Sequence, residues 1–205
     1  RPHQHGQGIM ISSTLGRRRF GAFALPALAV PALAACGASP EPGLYTLATR
    51  PGSTLPRGPA IVAIRDIGLP GYLDRKEIVR STEDLKLDVR ANSWWGEPLG
   101  GLVSRILVLD LSQRLPNSKV FGEAGSITLD PNASVGVDLQ RFDADKAGTV
   151  ILLAQVAIQF NRPTRSAARN FSIRKSATTP DTAGHVAAMS DALGELADGI
   201  ASMLQ

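Results

Sequence analysis

Leu85-Lys86-Leu87-Asp88-Val89-Arg90-Ala91 runs straight into Asn92-Ser93-Trp94-Trp95-Gly96-Glu97-Pro98-Leu99, and the spacing of the apolar residues changes between the two segments. The first alternates apolar and charged residues, as a half-buried strand with one wet face does. Gly96-Glu97-Pro98 then opens a helix, because Pro98 suits the first helical position, where its missing N–H costs nothing. Leu99, Leu102, Val103, Ile106, Leu109 and Leu111 give that helix a broad apolar surface, ending near Leu115-Pro116.

The same reading extends in both directions. Leu44 to Thr49 and Ala60 to Ile67 are short strand candidates, set off by Pro51, Gly52, Pro56, Gly58 and Pro59. Val135 to Phe142 is a further strand. Thr149 to Phe160, the most apolar stretch of the body, reads as a central strand buried on both faces in its first half. Asn170 to Lys175 places Phe171 and Ile173 on one side of another strand. Thr179-Pro180-Asp181-Thr182 begins a last helix, in which Val186, Met189, Leu193, Leu196, Ile200 and Met203 form one stripe facing a core. Asp191, Glu195 and Asp198 line another face, expected to be solvated. The order β-β-β-α-β-β-β-α gives an α+β class: a single domain with a mixed, mostly antiparallel β-sheet packed with two main α-helices.

Ahead of this body stand Arg17-Arg18-Arg19, an uncharged run from Phe20 to Leu33, and Leu33-Ala34-Ala35-Cys36. Basic, apolar and small residues in that order are a secretory signal peptide. With Pro26 and Pro31 in it, the run is too short for a spanning helix, which needs about 20 apolar residues. Cysteine after the small pair resembles the lipobox of bacterial lipoproteins. That resemblance implies cleavage between Ala35 and Cys36, a thioether lipid on Cys36 and acylation of the new N-terminus. The alternative is cleavage elsewhere, leaving Cys36 a free thiol. Arg17-Arg18-Arg19-Phe20 also resembles a twin-arginine export signal, although a plain basic leader looks much the same. Met10 makes a natural start, so Arg1 to Ile9 reads as an artefact of gene-start choice or expression, and His3 and His5 are not taken as metal ligands. Residues 1–35 are therefore expected to be leader, 36–43 the lipidated cysteine and a Pro-rich tether, and 44–205 the periplasmic domain. Gly37, where aspartate would signal inner-membrane retention, favours the outer membrane under the same resemblance.

The net charge of +4 misleads. Four of the 22 basic residues (Arg1, Arg17, Arg18, Arg19) precede Cys36 and none of the 18 acidic ones does, so 22 − 4 leaves 18 against 18 and a neutral mature chain. A nucleic-acid partner loses its electrostatic ground. With one cysteine there is no intramolecular disulfide, and with His185 alone beyond Cys36 most zinc sites and histidine-based triads are ruled out. No nucleophile elbow or phosphate loop is present, so no catalytic residue, no metal and no cofactor is expected beyond the covalent lipid on Cys36.

Two further stretches carry the functional reading. Leu69-Pro70-Gly71-Tyr72-Leu73-Asp74-Arg75-Lys76-Glu77-Ile78-Val79 is turn-rich, and the second stretch is Trp94-Trp95-Gly96-Glu97-Pro98-Leu99. Together they resemble the ABC-transport auxiliary lipoproteins of the PqiC type, which show Leu-Pro-x-Tyr-Leu-Asp-Arg-Pro-Gln-Ile-Val and then Trp-Ala-Glu-Pro-Leu. Matches are Leu69, Pro70, Tyr72, Leu73, Asp74, Arg75, Ile78, Val79, Trp95, Glu97, Pro98 and Leu99; Lys76-Glu77 and Gly96 depart. The resemblance implies an outer-membrane lipoprotein moving lipid between two membranes. Its implied partners are an MCE-domain protein, inner-membrane transporter components and, through the acyl anchor, membrane lipid; a homo-oligomer is expected.

Leu69, Tyr72, Asp74, Arg75, Trp94 and Trp95 are the partner-binding candidates. Trp95 is expected to seal the helix against the sheet, and Trp94, pointing the other way, is the better interface residue. Asp74 and Arg75 form either a partner-facing pair or a local salt bridge. Arg162, Arg165, Arg169, Arg174 and Lys175 either meet anionic headgroups or an acidic partner, or protect an edge strand. Two rival functions stand beside docking: a carrier holding lipid in an apolar cavity between sheet and helices, and a periplasmic hydrolase with a polar cleft.

Overall fold

The computed structural model describes residues 41–83, 85–127 and 129–205, so the expected leader (residues 1–35) and Cys36 lie outside the described residues. Eight strands and two helices follow in the order β1 (Gly43–Tyr45), β2 (Ile61–Ile64), β3 (Glu77–Glu83), β4 (Lys86–Trp95), α1 (Leu99–Arg114), β5 (Lys119–Gly122), β6 (Ala133–Ala144), β7 (Thr149–Asn161), β8 (Thr164–Ser176) and α2 (Thr182–Met203). The class is α+β, with one mixed sheet that is mostly antiparallel.

The long antiparallel ladder β6-β7-β8 forms the body of the sheet. The free side of β6 divides: Ala133–Val135 pairs in parallel with β2, which continues to β5, and Ala144 meets Arg80 of β3, which continues to β4 and β1. Thr149 to Phe160 behaves as its composition dictates. Val150, Ile151 and Leu152 are all buried, and from Gln155 onward buried and exposed residues alternate. Both helices pack on one face, where Leu102, Val103, Leu107, Leu111, Leu193, Leu196 and Ile200 are fully buried against Val135, Phe142, Val150 and Leu152. Side chains of the sheet and of both helices belong to one buried core. Among the described residues, no helix is long and apolar enough to cross a membrane.

Several expectations change. β3 and β5 were not foreseen: β3 lies inside a segment read as turns, and Lys119-Val120-Phe121-Gly122 is too short for periodicity to register. Pro98 is the N-cap of α1 rather than its first residue. Leu109 is 43% exposed, whereas Asp110 and Arg114 are buried on the inner side of the same helix. The apolar face of Leu85 to Ala91 is the exposed one, with Leu87 at 46% and Val89 at 39%. The opposite face carries Arg80 and Arg90 towards His185 of α2. The physical reason is that β3 and β4 run past Ala144, the last residue of β6, so their tip has no third strand beside it.

The acidic line on α2 is paired rather than merely solvated. Asp191 bonds Arg50, Glu195 meets Lys175 at 2.6 Å and Asp198 meets Arg114 at 2.6 Å. The N-terminus of α2 is capped by Asp181, whose Oδ1 accepts from the Gly184 N–H at 2.9 Å. β8 is an edge strand, so Arg165, Arg169 and Arg174 sit where charge discourages further pairing. Arg165 and Arg169 also stack over Phe160 and Phe171, at 3.6 and 4.9 Å from the ring centroids.

His185 is 2% exposed and its Nε2 has no hydrogen-bond partner. Burial first, then the Arg80 and Arg90 guanidiniums, hold its imidazole below the ordinary value, against a smaller opposite pull from Asp181. The unfolded chain therefore binds more protons than the folded one as pH falls through about 6.5, the ordinary imidazole value. The stability that His185 contributes is full above that pH and declines below it, down to the depressed folded-state value. Urea unfolding midpoints should fall from about pH 7.5 to about pH 5 in the parent, and fall less in His185→Gln. Parallel pH profiles for the two chains would contradict this.

Candidate functional site

The turn-rich segment is a strap that joins the free edge of β6 through a parallel bridge between Gly68 and Asp138. Gly68 starts it, giving its N–H to Val137 O and accepting from Leu139 N–H, both at 2.9 Å. A side chain at Gly68 would meet the Asp138 carboxylate, which would have to swing away into solvent. Leu69 leans on Gly100 of α1, and Leu73, whose N–H reaches Pro70 O at 2.9 Å, is buried. Tyr72 fastens the strap by donating its hydroxyl to Asp143 Oδ2 at 2.6 Å. Asp143 is fully buried and also accepts from Arg141 at 3.1 and 3.2 Å. Burial, and then the Asp143 carboxylate, push the Tyr72 phenol well above its ordinary pKa, so it stays a hydrogen-bond donor at every physiological pH.

Past the strap, β3 brings the two motif segments together. Trp95 N–H donates to Lys76 O at 2.7 Å, and Gly96 N–H donates to Tyr45 O at 2.8 Å. Asp74, Arg75 and Lys76 then face Trp95, Glu97 and Pro98 across a surface cleft of about 280 Å³. Trp95 is 6% exposed and belongs to the core. Trp94, paired in register with Leu44, lies at the surface with Lys76 Nζ 3.8 Å from its ring centroid. Its indole N–H donates to Ala91 O at 2.8 Å.

Arg75 takes Glu77 as its partner at 3.2 Å rather than Asp74. Glu97 is held by Arg105 Nε and Nη2 at 3.1 and 2.5 Å. The cleft therefore mixes a free-standing acid, two bases and the edge of an indole, a set suited to holding a polypeptide by charge and stacking.

The structure brings Asp74, Arg75, Trp95 and, at the rim, Trp94 to one place. Leu69 and Tyr72 fix the strap that shapes it. Lys76, Glu97 and Arg105 complete the surface and were not singled out from the sequence. The adjacency of Lys76 to Trp94 arises from β3–β4 pairing, which the sequence spacing does not display.

A comparison with curated proteins gave no match. Among solved structures, a crystal structure of an uncharacterised protein superposes with a TM-score of 0.68 at 18% identity, covering 81% of this chain and 100% of the other. A protein from Xanthomonas campestris gives 0.65 at 18% identity, covering 79% and 94%. The PelC dodecamer from Paraburkholderia phytofirmans gives 0.41 at 12% identity, covering 78% and 99%. The first two share the fold. The family model described as ABC-type transport auxiliary lipoprotein component matches residues 45–201, a span holding the strap, the cleft and both helices, and the chain belongs to that family.

Proposed function

We propose that this protein is a lipid-anchored, non-enzymatic subunit of an intermembrane lipid transport system. It is held by Cys36 at the periplasmic face of the outer membrane, where it docks an MCE-domain component served by an inner-membrane transporter. In this reading it works as a homo-oligomer, and the surface around Trp94, Lys76 and Asp74 receives the partner. The observation that supports it most is the convergence of both family motif segments on a surface cleft whose rim indole is left outside the core. A half-buried indole with a polar N–H is characteristic of interface centres.

A photoreactive residue placed at position 94 in cell membranes should yield an adduct with an MCE-domain protein. A probe that couples to nothing, in a detergent extract containing only the solitary monomer, would refute the docking role.

A further inference from the structure

The turn between β3 and β4 ends in an apolar surface that the fold leaves open. Leu85 in the turn is fully exposed, and Leu87 and Val89 continue from it along one face of β4. Lateral support ends where Arg80 meets Ala144, so Ser81–Glu83 and Lys86–Leu87 run on as a two-stranded tip. Exposed leucines on a projecting hairpin mark a contact surface rather than a packing accident.

The tip carries Glu83, Asp84 and Asp88 beside Lys86, but the cleft next to it has more bases than acids. A cleft of about 610 Å³ beside the tip is lined by Ser81, Thr82, Arg141, Lys146 and Arg174, together with Asp145. Asp145 is already occupied by the Ala147 and Thr149 N–H groups, both at 2.9 Å, and Arg141 is engaged by Asp143. Lys146 and Arg174 are exposed. Leucines flanked by free cations are the composition of surfaces that sit in a headgroup layer.

The direction of the preceding chain selects a membrane as the occupant. β1 runs parallel to β4 with Gly43 opposite Ser93, so the N-terminal end of β1 points along β4 towards the turn. Ser93 to Lys86 spans roughly 23 Å at about 3.3 Å per residue. The tether from Cys36 to Gly43 reaches at most roughly 25 Å. The two reaches match, so acyl chains on Cys36 and the leucines of the tip can enter one bilayer.

We propose that the β3–β4 arm is a second membrane contact. Leu85, Leu87 and Val89 enter the headgroup layer of the bilayer that holds Cys36, and Lys146 and Arg174 meet anionic phospholipid beside them. The proposal rests on the lipid-anchored reading above. Its consequence is orientation: an acyl anchor on a tether leaves a domain free to rotate, and a second contact fixes which surface faces the periplasm.

Because Cys36 is the chain's one cysteine, a thiol-reactive nitrobenzoxadiazole probe can be placed at will. The full chain carrying Leu87→Cys is processed in cells, labelled and reconstituted in phosphatidylethanolamine–phosphatidylglycerol vesicles. Val89→Cys serves as a second arm site and Arg57→Cys as the control, since Arg57 accepts from Gln205 beyond the other end of α2. The arm probes should emit at shorter wavelength in vesicles and lose most of their intensity to bromine carried on the acyl chains, with no change at position 57. Water-like emission from the arm of a lipidated chain overturns the proposal. Shielding that bromine does not quench, and that grows with protein density, means a second copy covers the arm and overturns it equally. Failure of the anchor shows separately: intact mass without acyl chains on Cys36 defeats that reading, and the arm's geometric ground with it, before any vesicle is made.

Discussion

Arg114→Met should remove about 3–5 kcal/mol of stability, the loss typical when one partner of a buried charged cluster is deleted. Arg114 is 1% exposed on the inner face of α1 and ties three parts of the chain together. Its Nε donates to Asp198 of α2 at 2.6 Å and its Nη2 to Gly194 O at 2.9 Å. Its Nη1 donates to Arg50 O at 2.9 Å and to Asp110 O at 3.1 Å. Arg50 in turn gives its N–H to Asp110 Oδ1 at 2.9 Å and its side chain to Asp191. The segment after β1 thereby closes over the junction of the two helices.

The fit is tight, because a side chain at Gly52 would collide with the Arg114 guanidinium and one at Gly194 with Arg50. Methionine keeps most of the volume but gives up the bonds to Asp198, Gly194 O and Arg50 O, and takes the Arg114 cation away from the buried Asp110 carboxylate. Burial already pushes the Asp110 carboxyl above the usual range, so its charge in the folded state is sustained only by the Arg50 N–H and the Arg114 and Arg50 cations. Lysine should not restore stability, since an ammonium cannot reproduce the planar fork that reaches Asp198 and Gly194 together. Arg114→Met with Asp110→Leu should recover part of the loss by removing the stranded charge. Urea unfolding reads all three. A single Met variant within about 1 kcal/mol of the parent would show that the cluster is ornamental to stability.

Nothing in the periodicity of α1 announces this hub. Reading apolar residues at helical spacing places Leu102, Val103, Ile106 and Leu111 correctly but assigns Leu109 inward. It gives no sign that Asp110 points inward, because a charge inside is recognised only by its partner on another element. The same limit hid β3. Glu77 to Glu83 holds Ile78 and Val79 between charged and hydroxyl residues, and its ladder with β4 forms through pairing that local composition does not encode. The long strands and α2 were legible because their apolar runs exceed what a loop could carry. At the cleft, the sequence supplied Asp74, Arg75, Trp94 and Trp95. It missed Lys76 and Glu97 as functional candidates, since each acquires its place only when β3 carries the first motif against the start of α1.

Trp95→Ala should cost about 3–5 kcal/mol and Trp94→Ala about 1 kcal/mol or less, although the two indoles are neighbours in sequence. Trp95 is buried with Leu73, Ile78 and Leu99 around the start of α1, and its backbone N–H is tied to Lys76 O. Removing the ring opens a cavity under the cleft floor that the strap, fixed by Tyr72 on Asp143, cannot follow inward to fill. Trp94 loses one cation–π contact with Lys76 and one exposed hydrogen bond to Ala91 O. Because the chain has two tryptophans, each variant leaves a single emitter. The chain keeping Trp95 should emit at shorter wavelength and resist a soluble quencher, and the chain keeping Trp94 should do neither. Equal destabilisation by the two substitutions, or equal quenching, would mean that Trp94 is part of the core. A Trp94→Ala chain that folds like its parent but no longer co-purifies with an MCE-domain protein separates the indole that holds the fold from the one the fold holds out.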